Sequence, residues 1–453
     1  MAEALTTATV HLVLPDGDEV VAGTVSSEGP SGSSSASLIF RYSDSYITDG
    51  RGYELSPDMP LTGGPLRTWS GRKSLGALGD AMPDDWGRRI IRAGTNARTP
   101  LDFLVHVNDI TRQGALRVSD GKGTYLANTG HPVAMVQDLD RIIAAARSFE
   151  DGTESDDELR ILVEAGTSAG GARPKAIVRH KGDLWIAKFA RETEFNDPMA
   201  WEATALALAR KAGIQTPDFE LLRLDEERSV LATRRFDRDG DRRLGYISAH
   251  SLTTKLDSDA SSYSHLADTL AQVSPDPRKD LVALFRRAAL NLLIGNVDDH
   301  FRNHGFIRRA GGWELSPVFD LEPNRRPNQV GATPITDSGE QYGRDIRELQ
   351  EAHDMFRLSR NDASTIIRDV AERTADWHET ALGYGISSEA ATAMSQAFEG
   401  ANREQALGMQ PADGTGSGSA SRKGPAQSRR GQLGIPGNPG QWASPRREEE
   451  IQL

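Results

Sequence analysis

The chain has 453 residues, of which 37% are hydrophobic and 26% charged, a composition typical of a globular protein with two or three cores. The absence of cysteine excludes disulfides and thiolate metal sites. A formal net charge of −12 argues against a DNA-binding surface over most of the protein and leaves room only for a local basic patch.

The first 145 residues predict a small α/β domain. They open without the basic and apolar segments of a secretory signal, and no apolar run is long enough to span a bilayer, so we expect a cytoplasmic protein. "ATVHLVLPDGDEVVAGTV" predicts two strands joined by a turn at Pro15–Gly17. "PDDWGRRIIRA" predicts a helix that begins near Pro83, with Asp84 and Asp85 at its positive end. A second helix, "DLDRIIAAARSFE", leads into the acidic "EDGTESDDE", which we interpret as a surface linker.

From about Asp157 the pattern changes to strands on either side of one long helix. The Gly-rich "EAGTSAGGARPK" precedes "KAIVRHKGDLWIAKFA", which predicts a hairpin with its turn at Lys181–Gly182. "NDPMAWEATALALARKAGI" predicts a helix that Asp197 caps, with Pro198 in its first turn and Gly213 at its end. "FELLRL" and "SVLATRRF" predict two further strands.

From Ser264 to about Phe398 the sequence predicts mainly helices. The segment "LVALFRRAALNLLIG" has apolar residues at helical spacing that predict one buried face: Leu281, Leu284, Phe285, Ala288 and Leu292. After about Gly408 the composition becomes rich in Gly, Ser and Pro and offers no apolar surface to bury. We therefore expect a disordered tail over 406–453.

The Gly-rich loop from Gly166 to Gly171 is the first feature that can carry chemistry. Glycines let backbone amides approach phosphate oxygens closely. Gly166 and Gly171 have the spacing of a Walker A motif, but Ala172 and Arg173 stand where its Lys and Ser or Thr belong, so this is not a P-loop of that class. A flexible loop without a ligand is the alternative.

Two charged residues follow that loop. Lys188 shares a strand face with Leu184 and Ile186, so it either snorkels from an edge strand or projects into a cleft and holds phosphates. A hairpin lysine just after a Gly-rich loop is the arrangement of a kinase N-lobe. Glu202, early in the next helix, either stabilises the helix N-terminus or pairs with that lysine.

The polar stretch "NVDDHFRNHGF" follows the buried helix directly. Asp298 and Asn303 have the separation of Asp and Asn in the kinase catalytic loop H-R-D-x-x-x-x-N. A phosphotransferase needs a carboxylate near the acceptor hydroxyl, an amide oxygen on Mg²⁺ and a second carboxylate on the metal. Asp320, at the end of the apolar "LSPVFD", is placed to be that second carboxylate.

A metallohydrolase is the competing interpretation of this stretch. Its metal ligands would be Asp298, Asp299, His300 and His304. That interpretation leaves the glycines, Lys188 and Asp320 without roles, and His300 can instead brace the loop through hydrogen bonds. It also identifies no partners that would orient the ligands.

The order of these features resembles the HipA family of bacterial serine/threonine kinases, which are the toxins of toxin–antitoxin pairs. The resemblance extends to about residue 400. In the N-terminal part it rests on "LGDAMPDDWGRRII" and "FLVHVNDITRQGALRVS". Further along it rests on "GTSAGGARPKAIV", "LWIAKFA", "RRFDR", "YISAHSLT", "NVDDHFRNHGF" and "LSPVFDLEPN". Each string alone is weak evidence for the family, whereas their order along the chain is specific to it.

The resemblance implies a role for each matching residue. Asp298 is the catalytic base, Lys188 contacts the phosphates of ATP, and Asn303 and Asp320 bind Mg²⁺. The other residues implied in ATP binding are Gly166, Thr167, Ser168, Gly170, Gly171, Lys175, Arg234, Phe236 and His300. Arg234 stands where the family has an acidic residue, so adenine contacts there depend on the backbone and on Phe236. Ser168 matches the position of autophosphorylation, with Thr167 as the alternative acceptor.

We therefore expect an α+β protein with a small α/β N-terminal domain over 1–145. A two-lobed protein-kinase-like domain follows over 146–405, with its N-lobe ending near residue 240 and a helical C-lobe after it. The resemblance implies an ATP- and Mg²⁺-dependent serine/threonine kinase that is the toxin of a type II system. Its implied substrate is a translation component such as an aminoacyl-tRNA synthetase. The implied partner is a HipB-like helix-turn-helix antitoxin, which brings operator DNA. A small-molecule kinase and a catalytically weak regulatory subunit are the alternatives.

Overall fold

The N-terminal part of the chain is built on one antiparallel sheet. The computed structural model describes residues 6–29, 36–68, 74–127, 132–165, 173–194, 196–225, 228–254, 261–325, 331–337 and 344–409. The first strands and helices are β1 (Thr7–Val13), β2 (Glu19–Glu28), β3 (Ser37–Tyr42), α1 (Asp44–Thr48), β4 (Leu66–Arg67), α2 (Gly76–Asp80), α3 (Asp85–Gly94), α4 (Pro100–Val105) and β5 (Leu116–Ser119). The strands pair in the order β4–β3–β2–β1–β5.

Two local predictions in this domain are confirmed. The turn between β1 and β2 contains Gly17 at φ +99°, a backbone conformation that glycine adopts without strain. Asp84 is the N-cap of α3, because its carboxylate accepts a hydrogen bond from the Gly87 amide at 2.7 Å. The helix therefore begins where the acidic pair predicts it.

A second sheet follows, with helices on both of its faces. Its elements are α5 (Leu139–Asp151), α6 (Asp156–Glu164), β6 (Lys175–His180), β7 (Asp183–Phe189), α7 (Pro198–Lys211), β8 (Phe219–Arg223) and β9 (Ser229–Arg234). The strands pair in the order β6–β7–β9–β8, all antiparallel. α5 and α6 share a core with Val178 and Trp185 on one face, while Leu231, on the other face, packs with α7. The predicted hairpin and helix are both present.

We expected the acidic segment 150–158 to be a surface linker. The structure shows that part of it forms the start of a helix. Ser155 and Glu158 form a capping box, and α6 begins at Asp156. Acidic residues at this place stabilise the positive end of a helix, which is why charge alone misled the interpretation. The predicted domain boundary at residue 145 also falls inside α5, a helix that packs on the second sheet together with Trp86 of α3.

The remaining elements form small strands and a helical lobe. These elements are β10 (Arg238–Asp239), β11 (Arg242–Arg243), β12 (Tyr246–Ser248), α8 (Ala249–Leu252), α9 (Tyr263–Val273), α10 (Pro277–Leu293), β13 (Gly305–Arg309), β14 (Gly312–Leu315), α11 (Ile346–Glu351), α12 (Arg360–Arg373), α13 (Trp377–Gly383), α14 (Ser388–Phe398) and α15 (Ala401–Gly408). Short 3₁₀ helices cover Val136–Asp138, Phe301–Asn303 and Ala352–Phe356. All five residues of the predicted face of α10 are buried. The α+β class with a sheet-based lobe followed by a helical lobe is confirmed.

Buried charges join the N-terminal domain to the end of β9. Arg235 donates hydrogen bonds to the carbonyl oxygen of Thr111 at 2.5 Å and to Asp237 at 2.6 Å. Asp237 also accepts from the Gly114 amide at 2.7 Å, and neighbouring arginines hold its pKa well below the ordinary value although burial opposes this. Hydrogen bonds to the N-terminal domain therefore fix the segment after β9.

No helix in the described part of the chain is long and apolar enough to cross a membrane.

The end of the helical lobe gives a prediction about the C-terminal tail. Arg403 of α15 is buried and donates to the carbonyl oxygens of Phe398 and Ala371, both at 2.5 Å. Residues 406–408, which we expected in the tail, belong to α15, and residues 410–453 lie outside the described residues. Truncation after Met409 is expected to leave activity and melting temperature unchanged, because the removed composition offers no core.

Truncation before Ala401 is the matched control for that experiment. It removes Arg403, and we expect it to lower the free energy of unfolding by at least about 2 kcal/mol, because hydrogen bonds from a buried charged group are lost. Thermal melts and an activity assay on both truncated variants show whether the tail contributes to stability or activity. Loss of activity in the longer variant would contradict a dispensable tail.

Candidate active site

Lys188 is the centre of a charged site between the two lobes. It lies on β7, an inner strand between β6 and β9, so it is not a residue that snorkels from a sheet edge. Its Nζ lies 2.6 Å from Oε1 of Glu202 on α7 and 2.8 Å from Oδ1 of Asp320. Of the two roles considered for Glu202, the structure therefore shows the ion pair with the strand lysine.

The charges in this site support one another. Burial opposes charge on Lys188, but the carboxylates of Asp320 and Glu202 outweigh it and raise the pKa of the lysine. Burial also raises the pKa of Glu202, which Lys188 only partly offsets. The pKa of Asp320 is lowered, because Lys188 and two further cations, Lys175 and Arg173, more than compensate for its burial. A lysine ammonium thus faces an ionised Asp320.

The backbone at Asp320 is unusual. Its φ of +60° lies in the left-handed region, which aspartate tolerates better than most residues. Such conformations persist where the surrounding structure holds them, and they cluster at functional sites. On one side Phe319 packs 5.6 Å from the ring of Phe236, and on the other Glu322 forms an ion pair with Arg173. The segment is thus held at both ends.

Asp298 and Asn303 lie in a short loop with a 3₁₀ turn. The Asn303 side-chain Nδ2 donates to the Asp298 carbonyl oxygen at 2.9 Å, which fixes the amide and leaves its Oδ1 without a hydrogen bond among the described residues. The Asp298 carboxylate is exposed, and its pKa is raised by partial withdrawal from water and by the charges of Asp320 and Asp299, with His300 opposing. The carboxylates of Asp298 and Asp320 are therefore near enough to repel each other.

The metallohydrolase interpretation fails on geometry. Asp299 and His304 are turned into the helical lobe, with side chains 5% and 2% exposed, whereas Asp298 faces solvent. In the ranges that the structure describes, no group of three or more histidine and acidic side chains is placed to hold a metal ion. The four side chains that this interpretation requires do not converge.

Two other predicted residues, Lys175 and Arg234, form ion pairs away from Lys188. Lys175 sits opposite Lys188 in the sheet register, but its ammonium lies 2.7 Å from Asp84 of the N-terminal domain. Arg234 pairs in register with Trp185, so its side chain lies on the sheet face opposite Lys188 and forms an ion pair with Asp183 at 2.8 Å. Only the backbone of Arg234 can reach a ligand on the Lys188 face.

Of the remaining predicted residues, two have described positions and the others do not. Phe236 is half-buried against Phe319, and the His300 backbone amide donates to the Asp298 carbonyl oxygen at 3.0 Å. The glycine loop residues Gly166, Thr167, Ser168, Gly170 and Gly171 lie outside the described residues.

The raised pKa of Asp298 predicts a pH dependence. Asp298 is the predicted general base, which acts in its ionised form, so kcat/KM should fall as the pH drops through this pKa. We expect the acidic limb at a higher pH than the value of about 3.9 for free aspartate. A pH–rate profile measures it, with circular dichroism to confirm folding at each pH. The same limb in the residual activity of Asp298→Asn would contradict the assignment.

Three features define a kinase-like fold. They are a sheet lysine paired with a helix glutamate, an aspartate after a short hairpin, and the Asp298–Asn303 loop in a helical lobe. The chain belongs to the HipA family. A model of the HipA N-terminal domain matches residues 18–119, and a model of the HipA-like C-terminal domain matches residues 167–378.

Two solved structures are similar to this chain. One is HipA from Shewanella oneidensis MR-1, in a complex of the toxin–antitoxin system HipA, HipB and its operator DNA. The match has a TM-score of 0.62 and 18% sequence identity, and it covers 88% of this chain and 96% of the Shewanella chain. The other is the Helicobacter pylori proinflammatory kinase CtkA, with a TM-score of 0.36 and 14% identity, over 53% of this chain and 93% of that one. No curated protein matches the chain significantly.

Proposed function

We propose that this chain is a protein serine/threonine kinase that uses ATP and Mg²⁺ and acts as the toxin of a type II toxin–antitoxin system. The observation that carries the proposal is Lys188 held between Glu202 and Asp320, beside a loop that places Asp298 five residues before Asn303. Family membership supports the same assignment.

The reaction assigned here is transfer of the γ-phosphoryl group of ATP to a hydroxyl. The bond from phosphorus to the β,γ-bridging oxygen breaks, ADP leaves with that oxygen, and the acceptor oxygen bonds to phosphorus. Asp298 takes the acceptor proton, and Lys188 binds phosphate oxygens. The phosphoryl transition state is loose, so catalysis depends mainly on positioning and charge neutralisation.

The residues at the site fit a magnesium ion. Mg²⁺ prefers oxygen ligands, and Asp320 and Asn303 offer a carboxylate and an amide oxygen. Lys188 engages only Oδ1 of Asp320, and Oδ2 makes no hydrogen bond with any described residue. Asn303 is oriented by its bond to the Asp298 carbonyl oxygen. When bound, the ion neutralises charge on the phosphate oxygens.

The Gly-rich loop is assigned to the phosphates of ATP, with Ser168, or alternatively Thr167, as a site of autophosphorylation. A phosphoryl group there adds about two negative charges to a loop that must hold the phosphates of ATP. Modification would then repel the nucleotide and switch the kinase off. Arg173, two residues after the loop, forms ion pairs with Glu194 at 2.8 Å and with Glu322.

The partners are proposed by extension from the Shewanella complex, which contains HipB and operator DNA. We propose that a HipB-like helix-turn-helix antitoxin binds this chain and supplies the DNA contacts, which suits the acidic net charge of −12. The proposed acceptor is a protein of the translation machinery, such as an aminoacyl-tRNA synthetase.

Labelled ATP and a host lysate test the function. Purified full chain is incubated with both, and mass spectrometry locates new phosphate groups, with Asp298→Asn as the matched control. We expect phosphoserine or phosphothreonine on a few proteins with the wild-type chain only. Label confined to small molecules would favour a small-molecule kinase, and no label in any fraction would favour a regulatory subunit.

A further inference from the structure

We propose that Asp299, His304 and Tyr263 form a buried clamp that closes the catalytic loop and sets the distance between Asp298 and Asn303. They are positioning residues, because all three are buried in the helical lobe. Their effect on catalysis rests on the proposed kinase function. Asp299 directly follows Asp298, and His304 directly follows Asn303, so a contact between Asp299 and His304 holds the two catalytic-loop residues at a fixed separation.

The clamp is one close contact between the two ends of the loop. Nε2 of His304 lies 3.0 Å from Oδ1 of Asp299, and both side chains are buried. The two atoms are close, although the ring is not aligned for an ideal hydrogen bond. The contact joins residues five apart in the chain, so the intervening 3₁₀ turn has both ends fixed.

Tyr263 anchors this pair to the helical lobe. Its hydroxyl donates to Oδ2 of Asp299, and its ring lies edge-on to His304 at a centroid distance of 5.5 Å. The same hydroxyl accepts a hydrogen bond from Nδ2 of Asn291 on α10 at 2.8 Å. One side chain of α9 therefore touches both ends of the loop and the helix that leads into it.

A further set of bonds holds the surrounding backbone. Thr333 donates to the Asp299 carbonyl oxygen at 2.5 Å. Arg344 donates to the carbonyl oxygens of Asn291 and Asn296, at 3.0 and 2.8 Å. The loop thus lies on a connected network of hydrogen bonds to Thr333, Arg344 and Tyr263. A network of this kind holds neighbouring catalytic groups in place when each member keeps its partner.

A plain stability role for these residues makes a different prediction. If the clamp only stabilised the fold, breaking it would lower the melting temperature and leave kcat per folded molecule unchanged. If it positions Asp298 and Asn303, kcat falls in folded protein, because small displacements of a reacting group are costly. Binding of the nucleotide to Lys188 on the sheet should change little in that case.

Asp299→Asn, His304→Gln and the double variant form the experiment, with Tyr263→Phe as a milder change that keeps the ring. We expect each single substitution of the pair to lower kcat by about 10- to 100-fold, with the KM for ATP within about threefold of wild type. The double variant should be no slower than the slower single variant, because the two residues act as a unit.

Asp369→Asn is the matched control, since it breaks the pair of Asp369 with Arg286 (2.6 Å), which joins α10 and α12 in the same lobe. It should affect stability and not kcat. Tyr263→Phe keeps the clamp testable if the stronger variants fail to fold, with an expected loss in kcat of about 3- to 10-fold. Wild-type kcat in folded Asp299→Asn or Tyr263→Phe would overturn the clamp.

Hydrogen exchange separates the clamp from the proposed function. Amides of 298–304 should exchange faster in the variants than in the wild-type chain, while those of the control variant should not. This readout needs no catalysis. An inactive wild-type chain would overturn the kinase proposal, and exchange would still decide the clamp: unchanged protection of the loop would refute it.

Discussion

Asp298→Asn is expected to lower phosphotransfer by about 10²- to 10⁴-fold, the contribution of a general base. The carboxylate is exposed on its loop, and its replacement leaves no buried charge without a partner, so we expect little loss of stability. Lys188, Glu202 and Asp320 keep their contacts in this variant. Mg-ATP binding should therefore persist while transfer is lost.

Steady-state kinetics and a thermal melt on the purified variant measure both quantities. Asp268→Asn is a suitable control, because Asp268 is an exposed carboxylate on α9 in the same lobe. The control should behave as wild type. Phosphorylation at the wild-type rate by a folded Asp298→Asn chain would remove Asp298 from the role of base.

Asp320→Ala should weaken Mg-dependent nucleotide binding more than Asp298→Asn does. It removes the carboxylate best placed to hold the ion that neutralises the phosphates, and we expect the Kd for Mg-ATP to rise at least about tenfold, or about 1.4 kcal/mol. Lys188 keeps Glu202 as its partner at 2.6 Å, so the buried lysine is not left alone and the fold should survive.

Calorimetric titration with Mg-ATP measures that change. Glu322→Gln is the matched control, because Glu322 lies two residues further on and pairs with Arg173 rather than with Lys188. Its effect on Kd should be smaller than that of Asp320→Ala. Unchanged affinity and activity in Asp320→Ala would mean that Asp320 is only structural. A zinc requirement with no effect of ATP would contradict the kinase site.

Local patterns in the sequence predicted much of the architecture. Some signals act over a few residues and can be identified without the fold. These are the apolar spacing of α10, the acidic Asp84 at the start of α3, the capping residue Asp197 and the hairpin turn at Lys181–Gly182. The pair of Lys188 with Glu202 was one of two alternatives, because strand and helix periodicity give a face but not the partner across it.

Contacts between distant segments could not be predicted from these patterns. Asp84 is predicted to lie at the positive end of a helix, yet one of its carboxylate oxygens pairs with Lys175, far away in the sequence. The sheet register turns Arg234 away from Lys188, and the register depends on pairing that the sequence does not state. Asp299 had no role in the kinase interpretation, because its partners His304 and Tyr263 become apparent only when α9 packs beneath the loop.

The most direct test of the central claim counts labelled phosphate transferred from γ-labelled ATP to lysate protein by the purified full chain. Reactions run with Mg²⁺, with chelator, and with Asp298→Asn in place of wild type. We predict label on serine or threonine that requires both Mg²⁺ and Asp298. Label that persists with the variant at the wild-type level, or its absence from the wild-type reaction, would contradict a kinase site built on Lys188, Asp298 and Asp320.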